Sequence, residues 1–236
     1  MKIALLGYGK MGQLIGQMAE ARGHQIVLVI GAENSNDLTI DALRQADVAI
    51  EFSAPDAAAH HIQLCLEAGV PVVVGTTGWY EQYESLVALA RTKQGAMLTA
   101  TNFSLGVNLF FALSSWMGSV MAQHPGYEVR IDETHHIHKK DAPSGTAITI
   151  AERLLEHLKH KGWSLNGSEG QTLPIYAHRI DEVPGTHEVR FSSKEDEIVL
   201  SHIAHNRHGF ASGAVMAAEW LNGKIGVFTM RDVLGL

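Results

Sequence analysis

What the sequence is short of excludes several classes of protein. A single cysteine, Cys65, rules out a disulfide within the chain. It sits in the helix-like run His61-Ile62-Gln63-Leu64-Cys65-Leu66 and reads as a small buried hydrophobe rather than a reactive thiol. Basic residues are in the minority, 18 Lys and Arg against 25 Asp and Glu, for a net charge of −7. A nucleic-acid binder would present a basic face instead. No apolar run approaches the ~20 residues that span a bilayer, so no membrane partner is expected. Internal repeats and low-complexity tracts are missing too. Residues 2–6 already read as a core strand, so no targeting segment is expected ahead of the fold, and a cytoplasmic location follows.

What is present suits a globular chain. The 236 residues, 46% hydrophobic and 18% charged, can bury one large core or two modest ones. Lys2-Ile3-Ala4-Leu5-Leu6 is a short apolar run, as in a buried parallel strand. It leads into Gly7-Tyr8-Gly9-Lys10-Met11-Gly12, a GxGxxG loop, then a helix that stops near Gly23 and a second strand over 25–30. In that context the glycines give a tight turn, close approach to a pyrophosphate and close helix–strand packing. Further strands are expected over 48–52, 70–74 and 96–100, with helices between them. Such alternation implies a doubly wound parallel sheet of Rossmann type. Ligands bind beyond the carboxyl ends of such strands. Candidate nucleotide contacts are therefore Gly7 to Gly12, Phe52-Ser53, Gly75, Thr76 and Thr77, and Ala100, Thr101, Asn102 and Phe103. The second strand ends in Gly31, where an acid would normally hold the ribose; Glu33 follows two residues late, and Lys10 is the nearest cation. NADH and NADPH stay equally open at this point.

After residue 105 the pattern changes. An apolar helix runs through Phe110, Trp116 and Val120, and Tyr127–Asp132 alternates as a half-buried strand. A helix is expected through Ile148 and Leu158, a loop over 162–172, and strands over 187–191 and 197–203. Together these give a C-terminal α+β domain with an open mixed sheet, whose exposed face self-association would cover. The densest chemistry is the stretch Glu133-Thr134-His135-His136-Ile137-His138-Lys139-Lys140-Asp141-Ala142-Pro143-Ser144-Gly145-Thr146. It can be read as a solvated loop, a metal site or an anion-binding acid/base site. Its HHxH spacing is not that of a helical zinc motif, and adjacent histidines on a strand face opposite ways. A Ser-Gly-Thr helix start supplies N–H groups and a hydroxyl, Lys139 a charge and a histidine a proton, which favours the third reading with no metal.

These motifs resemble the 4-hydroxy-tetrahydrodipicolinate reductase (dihydrodipicolinate reductase) family over essentially the whole length: the GYGKMG loop, Gly75–Gly78, Asn102–Gly106, the His–Lys–DAPSGT block, Phe210–Val215 and Gly226–Leu234. The resemblance implies an NADH- or NADPH-dependent reductase of lysine and diaminopimelate biosynthesis. His135 would be the general acid and Lys139 its assistant, while His136, Gly145 and Thr146 would hold a small dicarboxylate. The nucleotide contacts would be Gly7 to Gly12, Gly75 to Thr77 and Ala100 to Phe103. It further implies a homotetramer. The domains would be 1–105 with 213–236 for the nucleotide, and 106–212 for substrate and oligomerisation, with hinges near 104–106 and 212–213. Gly31 departs from the family, whose members usually carry Asp or Glu there. The competing readings are a catalytically inactive NAD(P)H-binding sensor and another two-domain dehydrogenase.

Overall fold

The structure, a computed structural model, describes residues 1–167 and 170–236. The chain forms two compact units, Met1–Leu105 with His208–Leu236, and Gly106–Arg207. The elements of the first stretch are β1 (Lys2–Leu6), α1 (Lys10–Ala21), β2 (Gln25–Ile30), α2 (Ile40–Leu43), β3 (Val48–Glu51), α3 (Pro55–Ala68), β4 (Val72–Val74), α4 (Tyr83–Thr92) and β5 (Ala96–Thr99). The second unit holds α5 (Leu105–Met121, whose first residue belongs to the first unit), β6 (Glu128–His135), α6 (Gly145–Leu155), β7 (Trp163–Leu165), β8 (Leu173–Arg179), β9 (Thr186–Ser192) and β10 (Glu197–Ile203). The chain then returns to the first unit as α7 (His208–Leu221), β11 (Gly226–Phe228) and α8 (Met230–Leu234).

The first sheet is parallel throughout, in the order β11-β5-β4-β3-β1-β2. Its strands are apolar on both faces because each face carries its own core. Ile3, Leu5, Ile50 and Leu98 pack one way against α1 and α7, and Ala4, Leu6, Ala49 and Met97 the other way against α3 and α4. From β1 the chain steps outward to β2 and then crosses back to β3 on the other side. The switch point therefore falls between β1 and β3, where ligands settle in such sheets. The second sheet is mixed, in the order β10-β9-β6-β8-β7, with β6–β8 and β7–β8 parallel and the other pairs antiparallel. One face packs on α5 and α6 through Phe110, Ile131, Ile150, Leu154, Ile175, Val189 and Phe191.

Three expectations need correction. The return to the first unit begins at His208, not at residue 213, because α7 is one uninterrupted helix whose Ala211, Ala214, Val215 and Ala218 are all buried in the first core. Gly213 is a contact point there rather than a hinge: a Cβ on it would lie 1.7 Å from the carbonyl oxygen of Phe103. The stretch 162–172 contains β7, and residues 168 and 169 lie outside the described residues. Two strands lie outside the expected set: β8, whose short alternation is interrupted by Pro174, and β11, which has only three residues. Among the described residues no helix is long and apolar enough to cross a membrane.

Candidate active site

The site in the second unit grows out of the alternation of β6. Val129, Ile131, Glu133 and His135 all face the buried side, so the core face turns from hydrocarbon to charge within one strand. Strand register then adds the neighbours: Glu133 stands opposite His187 of β9, and His135 opposite Arg179 of β8. An unpaired carboxylate in such a place would be costly. Glu133 is fully buried, and it is surrounded accordingly. Its Oε1 accepts from the Ser144 N–H at 3.1 Å and from Arg179 Nη2 at 3.1 Å. Its Oε2 lies 2.8 Å from His135 Nδ1 and 3.9 Å from His187 Nε2. The 2.8 Å contact is close, but its alignment falls short of a well-formed hydrogen bond. Burial pushes the Glu133 carboxyl up, yet His135, the Ser144 side chain and Arg179 outweigh it and hold its pKa down at about 2. The His187 pKa is lowered to about 3, first by burial and then by the adjacent His135, whose ring meets it edge-on at 5.0 Å. At neutral pH the pair therefore comprises a fixed anion and a neutral imidazole.

The loop after β6 carries the second basic group. Lys139 Nζ donates to both oxygens of Asp141 at 2.9 Å, and the Asp141 pKa is lowered chiefly by that bond. Arg179 reaches the same loop, donating from Nε to the Lys139 carbonyl at 3.3 Å and from Nη2 to the Asp141 carbonyl at 2.6 Å. Ser144 caps α6, its Oγ accepting from the Ala147 N–H at 3.2 Å while lying 3.1 Å from His187 Nε2. Of the two hydroxyls at this helix start, that of Ser144 is 2% exposed and spent on the cap and on His187, which leaves that of Thr146 for a ligand. Gly145 and Thr146, at the helix start, are open to a ligand by contrast; first-turn N–H groups have no partner inside a helix. His136 is half-buried with Nδ1 unpartnered. His138 and Lys140 are exposed, His138 beside Glu182 at 3.3 Å. Glu133, His135 and His187 also have ligand-type atoms within 4.8 Å of one another. The Arg179 guanidinium on the same carboxylate disfavours adding a second cation there.

The first unit offers a cavity of about 870 Å³ at its switch point, lined by Gly7, Tyr8 and Gly9 after β1, residues 29–35 at the end of β2, and Phe52, Ser53, Asp56 and His61 around β3. Here the glycines decide the shape. Gly7 has φ +101°, and a Cβ on it would lie 2.1 Å from the Phe52 carbonyl oxygen. On Gly12 a Cβ would lie 2.1 Å from the Gly7 carbonyl oxygen, whereas on Gly9 it would point into open space. No side chain caps α1 and no acid stands in its first turn. This is an open cradle at a helix N-terminus, the arrangement that suits a pyrophosphate. Of the other expected contacts, Lys10 and Thr77 are exposed and Gly75 to Thr77 follow β4, but they lie outside this cavity's walls. The same holds for Ala100 to Phe103 after β5, and Phe103 is a core residue, packed on Phe52 at 5.5 Å. Asn34 fills the place of the absent acid, accepting from the Gly31 N–H at 2.7 Å and donating to the Val29 carbonyl at 3.0 Å.

Sequence reasoning gave no role to Glu133, Arg179, His187, Glu51 or His61. Glu51 is fully buried at the end of β3; its Oε1 accepts from the Ser53 N–H and hydroxyl and lies 3.4 Å from His61 Nδ1. A buried acid at the foot of an apolar strand is a visible signal in the run Val48-Ala49-Ile50-Glu51.

Known proteins share this chain's sequence and fold. The profile described as dihydrodipicolinate reductase, N-terminus, matches residues 1–103, and that described as dihydrodipicolinate reductase, C-terminus, matches residues 106–234. A 4-hydroxy-tetrahydrodipicolinate reductase from Christiangramia forsetii is 46% identical over 99% of this chain and 98% of its own. One from Neisseria gonorrhoeae is 38% identical over 91% of this chain and 81% of its own. The solved structure of a dipicolinate-bound dihydrodipicolinate reductase from Paenisporosarcina sp. TG-14 has the same fold, with a TM-score of 0.82 at 24% identity over 98% of both chains. The chain belongs to the dihydrodipicolinate reductase family.

Proposed function

We propose that this chain reduces 4-hydroxy-tetrahydrodipicolinate to tetrahydrodipicolinate with a nicotinamide cofactor, in lysine and diaminopimelate biosynthesis. The observation that carries the reading is the buried Glu133 carboxylate set 2.8 Å from His135 Nδ1, next to a loop that carries Lys139. A reduced nicotinamide, when bound, would supply the hydride that replaces the 4-hydroxyl at ring carbon C4, the hydroxyl leaving with a proton as water. Gly7, Tyr8, Gly9 and the α1 N-terminus would hold its pyrophosphate. Glu133, ionised throughout the working range, faces Nδ1 of the imidazole at 2.8 Å and so sets which edge of the ring is free. That leaves Nε2 of His135 to deliver the balancing proton, with the Lys139 ammonium assisting. His136, Gly145 and Thr146 would hold the carboxylates of the substrate, the two N–H groups at the helix start favouring an anion. A dipicolinate-bound relative of the same fold is consistent with a dicarboxylate there.

The cavity lining also bears on the choice of nicotinamide. It contains Glu33 and Asp56 and no lysine or arginine. A 2′-phosphate would meet like charge, so NADH fits better than NADPH. Exposed apolar groups on α5 (Leu109, Leu113 and Trp116) and on the edge strand β10 (Ile198, Val199 and Ile203) support the homotetramer. A cytoplasmic location goes with the same reading. The test is oxidation of NADH and NADPH on adding the condensation product of pyruvate and aspartate semialdehyde. Substrate-dependent oxidation, faster with NADH, is expected. No oxidation with either cofactor would leave a nucleotide-binding protein without this reaction. Sedimentation analysis checks the assembly.

A further inference from the structure

We propose that Arg179 is the positioning residue that joins the two proton-donating groups into one device. The inference rests on the reading of His135 and Lys139 as proton donors. One guanidinium meets four acceptors on three segments. Nη2 donates to Glu133 Oε1 at 3.1 Å and to the Asp141 carbonyl at 2.6 Å, Nε to the Lys139 carbonyl at 3.3 Å, and Nη1 to the carbonyl of His178 at 2.7 Å. The last anchors the group to its own strand, β8. The first fixes the carboxylate that faces His135 Nδ1, and the other two fix the backbone of the loop on which Lys139 stands.

The Lys139 side chain itself has only a local hold. Lys139 Nζ is held by Asp141 alone, at 2.9 Å to each oxygen. Its N–H donates to the His136 carbonyl at 3.1 Å, a bond local to the loop. The Ser144 N–H ties the far end of the loop to Glu133 Oε1 at 3.1 Å, while Arg179 ties its middle, at residues 139 and 141, to the same oxygen. A planar fork with fixed donor directions suits that task, whereas a lysine could satisfy one or two of these acceptors at most. The place of Arg179 in the sheet explains why it falls there: parallel pairing sets residue 179 opposite residue 135. Its charge also completes the environment that keeps Glu133 ionised. Arg179 touches no reacting atom in this scheme. It sets the distance between the imidazole and the ammonium, and proximity of that kind governs turnover more than binding.

The experiment compares Arg179→Lys, Lys139→Ala and the double variant in the full-length protein. Turnover with the condensation product is measured across pH 6–9, with NADH affinity by fluorescence titration and the thermal midpoint as controls. Arg179→Lys is expected to lower kcat by roughly tenfold or more while NADH affinity stays within twofold, since its residue lies in the other unit from the cradle. Placed on Lys139→Ala, the same substitution should cost no more than about a third of that factor, because residues acting as a unit are not additive. Arg179→Met serves as the second variant, and Arg179→Lys should recover part of the loss relative to it. A kcat within twofold of wild type in Arg179→Lys overturns the proposal. So does an undiminished loss in the Lys139→Ala background, or parallel losses of turnover, NADH affinity and thermal midpoint. Failure of the underlying reading looks different: Lys139→Ala and His135→Gln would then themselves turn over like wild type.

Discussion

At the carboxyl ends of β1 and β3 the first unit makes room by leaving side chains out, whereas at the carboxyl end of β6 the second unit fills the space with charge. The cradle depends on Gly7, Gly9 and Gly12, two of which would clash with backbone at 2.1 Å if they carried a Cβ. The polar core depends on Glu133, His135, His187 and Arg179, each tolerable in its place only because of the others. The first site should fail by steric clash and be indifferent to mild acid. The second should fail by loss of a partner and be sensitive to pH. Ordinary layered packing supports both, so the difference lies in what each sheet end carries, not in how either sheet is held together.

The largest expected effects separate the two ends. His135→Gln should lower kcat by roughly 10²-fold, the usual scale for a general acid, with NADH affinity unchanged. Turnover near wild type would remove His135 from the role. Gly12→Ala should do the reverse. Its Cβ would fall on the Gly7 carbonyl, so NADH affinity should drop by about tenfold or more, with the acid response of the second unit intact. If Gly12→Ala binds NADH like wild type, the first site is not made by subtraction and the comparison breaks.

The two ends were unequally legible in the sequence. The cradle was plain because its signal is local: a strand, three glycines at fixed spacing and a helix follow one another between Lys2 and Ala21. The proposed catalytic block was legible for the same reason, as His135, Lys139, Gly145 and Thr146 share one stretch. Glu133 stood in that stretch without a role, because its importance comes from what surrounds it. His187 and Arg179 lie 44 or more residues on and reach the site only through strand register. β8 itself escaped notice because its alternation is confined to Leu173–Tyr176 and is interrupted by Pro174, a residue that argues against a central strand. Ser144 was placed correctly at a helix start, but a capping hydroxyl turns inward and so is lost to the ligand.

A smaller test asks whether the second site also depends on a missing side chain. Gly185 has φ +155°, and a Cβ on it would lie 3.1 Å from His135 Nε2, the nitrogen assigned to proton delivery. Gly185→Ala should shift the imidazole by a few tenths of an ångström and lower kcat by roughly tenfold, with NADH affinity unchanged. A normal kcat would mean that the ring has slack, and that charge alone defines this end.

The gentlest probe is acid, and its sign follows from the two shifted groups. His187 is held below its ordinary 6.5, at about 3, and Glu133 below 4.5, at about 2. As pH falls from 6.5 towards 3, the unfolded chain takes up a proton at residue 187 that the folded chain refuses, so stability is lost across that window. From 4.5 towards 2 the carboxylate at residue 133 adds to the loss in the same direction. Stability from both groups is thus complete above pH 6.5. Hydrogen exchange at β6 should show its opening free energy falling between pH 7 and pH 4, and His187→Gln should flatten the upper part of that fall, between 6.5 and 4.5. His160 and His202, also lowered by burial but less enclosed, supply the remaining slope. Amides of β1 should show much less of it, since the residues lining the cradle were made room for rather than paired. Equal acid sensitivity at β1 and β6 would mean that the two units open together, and that the contrast between a site made by omission and a site made by charge does not reach their stability.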